Sequence, residues 1–355
     1  MIAKRHGLIL FALVGFLLPV GAQAPPAPPS APAAGAQVKP SGDFRRQMPD
    51  SNAIVQLTAI HAQDVDIYPD ERTKAYYMVA SSGGGVRAWT SKDLINWQGP
   101  KTIYRTPPDV WGDIPTAGIW APELHEYKGK YYLFLTFSSR HLLDEQWHDW
   151  RPRVTRGSQI LWSNSPEGPY HAFAPHSTTP PDMMTLDGTF WAEDGTPYMV
   201  FCNEWVQVSD GTVEYMPLKS DLSDAAGPPT RMFRGSQAKW SELIEAGGHV
   251  TDGPYVWMGK TGKLYVIWSS RASDQTYKLG IAISDSGKLA GPWRQQDEPI
   301  FSENGGHGMI FRTFDGQLIL VLHAPDGHSP QPHLFKIEDT GETLRILDEV
   351  TSTGS

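Results

Sequence analysis

The sequence predicts an all-β fold, a five-bladed β-propeller with its active site at the central channel, and three observations carry that expectation. An apolar run recurs five times: Tyr76-Tyr-Met-Val-Ala, Tyr131-Tyr-Leu-Phe-Leu, Tyr198-Met-Val-Phe-Cys, Tyr265-Val-Ile-Trp-Ser and Leu318-Ile-Leu-Val-Leu. It returns roughly every sixty residues, the period of a repeat whose unit is one small sheet. The last four copies each follow a glycine turn, Lys128-Gly-Lys, Asp194-Gly-Thr, Thr261-Gly-Lys and Asp315-Gly-Gln. Upstream of every copy lies a second short segment with a polar residue at its heart: Asp64, Glu123, Asp187, Asp252 and His307.

The apolar runs are continuous rather than alternating, so they read as strands buried on both faces, as stacked blades require. Repeats place the blades at about residues 60–105, 116–175, 184–233, 248–298 and 304–346. If the upstream segment is the innermost strand of each blade, the five polar side chains converge on the channel as a ring at one depth. An uncompensated ring of carboxyl groups in a core is costly, so its presence points to a working pocket. The longest break in the repeat, Ser138 to Gln159, reads as a loop over one face and a rim for a bound molecule.

The ends of the chain carry different signals. Met1–Ala24 has Lys4 and Arg5, an apolar stretch to Val20 and a small-residue cleavage site at Ala22-Gln-Ala24, the three parts of an export signal. Residues 25–50 are rich in Pro and Ala and read as an extended tether, which leaves 51–355 for the propeller. The expected location is therefore secreted or periplasmic, with no membrane association once the signal is removed. Net charge is −9, which speaks against a nucleic-acid partner. The basic group Arg151, Arg153 and Arg156 lies beside Asp144, Glu145 and Asp149 and reads as a solvated, salt-bridged patch. Cys202, the single cysteine, sits within an apolar strand as a small buried hydrophobe.

Four segments resemble glycoside hydrolase family 43, five-bladed propeller enzymes that remove arabinose, xylose or related sugars from plant polysaccharides. They are His61-Ala-Gln-Asp64-Val-Asp-Ile-Tyr-Pro69, Ser91-Lys-Asp-Leu-Ile-Asn-Trp97, Trp120-Ala-Pro-Glu-Leu-His125 with Gly129-Lys-Tyr-Tyr132, and Thr251-Asp-Gly-Pro254. The resemblance implies that Asp64 is the base, that Glu123 tunes and orients the acid, and that Asp252 stands where the family carries a glutamic acid. It also implies that His307 faces a central water or a structural calcium ion, with no cofactor required. The implied substrate is an oligo- or polysaccharide.

Inverting hydrolysis needs one protonated and one ionised carboxyl group, set apart to leave room for a water. Asp252 is one methylene shorter than the usual acid, so Glu204, at the end of the second strand of blade three, is an alternative donor. His323 occupies the matching place in blade five and, with Asp187, is expected to line the pocket. Trp120 and Trp205 adjoin the acidic candidates and are the expected platforms for sugar stacking. Two readings follow: an exported exo-glycosidase removing terminal arabinofuranosyl or xylosyl units, or a catalytically impaired carbohydrate-binding propeller.

Overall fold

The computed structural model describes residues 49–350; the export signal and most of the Pro/Ala-rich tether lie outside the described residues. Twenty-one strands form five antiparallel sheets. Blade one runs outward from Asp66–Asp70 through Ala75–Ser82, Gly85–Ser91 and Asn96–Arg105, and Ile54–Gln56 adds a fifth strand to its outer edge. Blades two to five begin with Thr116–Tyr127, Thr185–Glu193, Asp252–Met258 and Gly306–Arg312, each followed by three more strands. Those innermost strands contact one another in sequence, and the last meets the first, so they enclose one axis. Among the described residues no helix is long and apolar enough to cross a membrane.

The two-faced burial expected of the apolar runs is what holds the ring together. Five hydrophobic clusters occur, and each is the interface between two neighbouring blades. Within one strand, Tyr77 and Val79 pack toward blade two while Tyr76 and Met78 pack toward blade five. Blade three repeats the pattern, with Met199 and Phe201 facing blade two and Val200 and Cys202 facing blade four. Strand periodicity sends alternate side chains to opposite faces, so a strand with a blade on either side has no polar face to spare. Burial also pushes the Cys202 thiol well above its usual value, as an inert core residue requires.

Among the described residues no strand is exchanged between the first and last blades, so the ring closes by side-chain packing and a few hydrogen bonds. Val65, Ile67 and Met78 of blade one meet Met309, Phe311 and Val321 of blade five, and Ala62 N–H donates to Pro330 O at 3.0 Å.

The segment from Ser138 to Gln159 is less irregular than the sequence suggests. Lys130–Leu142 and Val154–Ser163 continue as paired strands well beyond their blade, leaving only 143–153 as loop. Its arginines form a solvated, salt-bridged patch only in part: Arg151 is exposed and Arg153 pairs with Glu145 at 3.1 Å. Arg153 is buried, stacks on Trp147 at 3.6 Å and donates to Val206 and Gln207 carbonyls, while Arg156 pairs with Glu204.

Closure by packing makes the junction between blades five and one sensitive to lost volume. Met78→Ala, at a fully buried site in that cluster, is expected to cost about 2–5 kcal/mol. Urea denaturation of the two proteins measures the difference.

Candidate active site

One backbone feature sets the positions of the central side chains. In blades two to five the ladder between the two innermost strands skips, between Trp120 and Glu123, Leu186 and Thr189, Asp252 and Tyr255, and Gly306 and Met309. Each skip contains a residue with left-handed φ: Ala121 at 42°, Asp187 at 55°, Gly253 at 50° and His307 at 51°. Asp64, at 50°, takes the same conformation just before the inner strand of blade one. A β-bulge of this kind turns the strand and re-aims a side chain. Glycine is needed at 253, where a Cβ would come within 2.8 Å of the His307 ring.

The single ring expected from the sequence is therefore three levels. Asp64, Asp187 and His307 share the left-handed level; Asp252 lies one residue before it, and Glu123 two residues after it. His307 Nδ1 is 3.3 Å from Asp64 Oδ1 and 3.9 Å from Asp187 Oδ2. Asp187 is fixed from both sides: its N–H donates to Thr136 Oγ1 at 2.8 Å, and its carboxylate accepts the Gly253 N–H at 2.9 Å. That second bond ties it to the residue after Asp252, and Tyr277 Oη donates to Asp252 Oδ2 at 3.3 Å.

These neighbours drive the carboxyl groups apart. Burial alone would raise Asp64, but His307 and His323 outweigh it and hold the group below its usual value. Burial raises Asp252 well above the ordinary range, and the charges of Asp187, Asp64 and Glu204 add to it, against Arg271. Asp187 lies between these limits, raised by burial to about 6 while His307 pulls it back. One carboxylate and one carboxylic acid around a shared centre is the pairing that acid–base hydrolysis of a glycosidic bond uses.

The family model for Glycosyl hydrolases family 43 matches residues 57–346. The chain belongs to glycoside hydrolase family 43. It is 26% identical to an extracellular exo-α-(1→5)-L-arabinofuranosidase of Streptomyces chartreusis, over 61% of this chain and 66% of that protein. It is 23% identical to the extracellular exo-α-(1→5)-L-arabinofuranosidase ArbA of Cellvibrio japonicus, over 82% of this chain and 89% of the relative. Among solved structures, the endo-arabinase of Bacteroides thetaiotaomicron superposes with a TM-score of 0.73 at 33% identity, covering 80% of this chain and 96% of the other. Family 43 membership makes the protein a glycoside hydrolase.

The family frame sharpens what the structure does with the remaining candidates. Glu123 is not among the charges that act most on Asp252. It is 1% exposed and bonds His125 Nε2 at 2.8 Å, in a lower layer where Asp66 Oδ2 accepts the Leu124 N–H at 2.8 Å. The charge that acts first on Asp252 is that of Asp187. Burial pushes Glu123 up to about 8 and Asp66 up to about 7, and holds His125 down at about 4. Glu123 and His125 are therefore neutral at neutral pH, while Asp66 exchanges its proton close to it.

Glu204 precedes the short helix Trp205–Val208 and is in direct contact with the Arg156 guanidinium. Burial raises its carboxyl while Arg156 pulls against the rise. Arg156 in turn lies 4.1 Å from the Trp120 ring centroid, so this platform, 37% exposed, has one face already covered by a cation. Trp205 carries Arg151 at 5.4 Å and meets Trp150 edge-on at 5.9 Å. Both tryptophans belong to a rim of alternating rings and guanidinium groups, not to bare platforms.

His323 is fully buried and faces Asp64 and Asp326 rather than the pocket. His307 Nε2 is buried without a protein partner, a donor set suited to a water. Calcium takes six to eight oxygen ligands, waters among them, and the described residues hold no group of three His, Cys, Asp or Glu placed for a metal ion. Sequence reasoning missed Tyr277, Arg271, Asp326 and Arg156. The signal that was available is position, since Arg271 closes the second strand of blade four much as Asn203 closes that of blade three.

The raised pKa of Glu123 has a sign for stability. A group that keeps its proton in the folded state stabilises fully below the unfolded value, here about 4.5, and that contribution disappears as pH rises through about 8. Glu123→Gln is expected to lose less stability than the wild type between pH 5 and pH 8, checked by denaturation midpoints at the two pH values.

Proposed function

We propose that the protein is an exported, inverting exo-glycosidase that removes terminal arabinofuranosyl units, with xylosyl units as the second sugar class, from plant-type oligo- or polysaccharides. The observation that carries this reading is the opposite tuning of Asp64 and Asp252 around His307 and Asp187. Asp64, ionised beside two imidazoles, is the base: it takes a proton from water as the water oxygen bonds to the anomeric carbon. Asp252, protonated, gives its proton to the leaving oxygen as the glycosidic bond breaks. Asp187 keeps that proton on Asp252 by its charge and holds the backbone of Gly253 in place.

Asp252 is preferred over Glu204 as the acid for a geometric reason. Burial raises Glu204 despite Arg156, but its carboxyl is already engaged by that guanidinium, so Glu204 suits the task of holding Arg156 over Trp120. The shorter Asp252 is partly exposed and carries a donor, Tyr277, that orients it. The named activities of the relatives support arabinan-type substrates, and their being extracellular supports export.

The following outcomes are expected. Asp64→Asn abolishes hydrolysis while the protein stays folded; measurable turnover by that variant would remove the base assignment. Asp252→Asn slows aryl glycosides with poor leaving groups by about 10²–10⁴-fold and those with good leaving groups far less, and the same substitution series at Glu204 shows no such dependence. Proton NMR of the first-formed product shows the inverted anomer, and arabino-oligosaccharides release monosaccharide from the start; oligomers as first products would mean endo cleavage instead. N-terminal sequencing of protein recovered outside the cytoplasm, starting at Pro25, checks export.

A further inference from the structure

We infer that Asp326 is a positioning residue for the hydrolytic base, acting through His323 to hold the Asp64 carboxylate. Asp64, His323, Asp326 and Arg271 form a continuous chain that leads away from the pocket. His323 Nδ1 lies 3.2 Å from Asp64 Oδ1, and its Nε2 lies 3.3 Å from Asp326 Oδ1. The other oxygen of Asp326 accepts from Arg271 Nη2 at 2.5 Å, and Arg271 Nη1 donates to the Gln275 carbonyl at 3.3 Å. The Tyr277 ring stacks on His323 at 5.8 Å with 15° between planes, and the Arg271 guanidinium lies 5.0 Å from the other ring of this stack, that of Tyr277.

Each link restricts the next. Neutral His323 would accept the Asp64 N–H at Nδ1, 3.3 Å away, whereas only the doubly protonated ring donates to a carboxylate at each nitrogen. Arg271 keeps Asp326 ionised, since that carboxylate lies below its usual range despite its burial. The groups facing His323 are Asp64 from the segment before blade one, Asp326 from the loop after its own strand, His307 from the neighbouring inner strand at 6.5 Å, and Tyr277 from blade four with Arg271 behind it. Burial opposes charge on His323, but the two carboxylates raise its pKa to about 9. The base therefore works beside a fixed positive charge whose own support is Asp326. Asp326 itself has one oxygen on His323 and the other on Arg271, so it acts at a distance from the sugar.

This inference rests on Asp64 being the base, and the experiment separates the two. For Asp326→Asn, the acidic limb of the kcat/KM profile on an aryl arabinofuranoside is expected to move up by about one pH unit, because His323 without its second carboxylate gives up the positive charge beside Asp64. The value of kcat at neutral pH should fall about tenfold or more with KM within about twofold, and Asp326→Glu should restore both. An unmoved acidic limb in Asp326→Asn, with Asp64→Asn inactive, overturns the role of Asp326 and leaves the base intact. Turnover by Asp64→Asn overturns the base itself. A measurement on the unmodified protein guards against misfolded variants: histidine-selective ¹⁵N labelling is expected to show one imidazole ring that stays doubly protonated at pH 8. A wild-type spectrum without such a ring overturns the inference regardless of the variants.

Discussion

The left-handed step in each innermost strand is the constraint on which the site depends. A regular strand delivers side chains alternately to its two faces, and in a propeller both faces are blade interfaces filled with apolar groups. Nothing in that pattern points at the axis. The bulge inserts a residue that belongs to neither interface, and its side chain is free to face the channel. Left-handed φ costs a residue with a Cβ, and Asp tolerates it better than most, which is one reason Asp64 and Asp187 can occupy these places. His307 is an unusual occupant, and Ser269 Oγ secures it by accepting its backbone N–H at 2.8 Å.

Much of the architecture is legible in the sequence because one physical demand repeats five times. A strand packed by blades on both sides must be apolar at every position, and Tyr76-Tyr-Met-Val-Ala and its four relatives say so directly. The ring order is legible for the same reason. What misleads is the register of the inner strands. Asp187-Gly188 and Asp252-Gly253 look equivalent, yet the left-handed residue is the aspartate in the first and the glycine in the second. Glu123 follows an Ala-Pro step and falls two places beyond the bulge, into the buried floor. A one-residue difference in backbone conformation moves a carboxyl from the pocket to the core, and composition and period are blind to it.

The residues that sequence reasoning missed share a different cause. Tyr277 and Asp326 occupy no recurrent place in the repeat, Arg271 shares only its strand-end position with Asn203, and none of the three carries a motif. They matter because the third strand of blade four, the end of its second strand and a loop of blade five meet behind one imidazole. Arg156 is similar, since its partner Glu204 is 48 residues away and on another blade. Interactions across blade interfaces are set by the ring geometry, so they emerge only when the blades are assembled.

Two oppositely tuned carboxyl groups in one pocket pose a problem that the layers resolve. Placing Asp64, Asp187, Asp252 and Glu204 near one another without compensation would raise all four together, since like charges disfavour ionisation everywhere in the group. Imidazole and guanidinium neighbours break the symmetry. His323 and His307 act on Asp64, Arg156 acts on Glu204, and Asp252 is left with only the weaker pull of Arg271, the last among the influences on it. The proton therefore collects on the one carboxyl whose neighbours are mostly anions and whose contact, Tyr277, is a neutral hydroxyl. Glu123 and His125, neutral below them, add no full charge, so the difference between Asp64 and Asp252 is decided mainly by side chains at their own level.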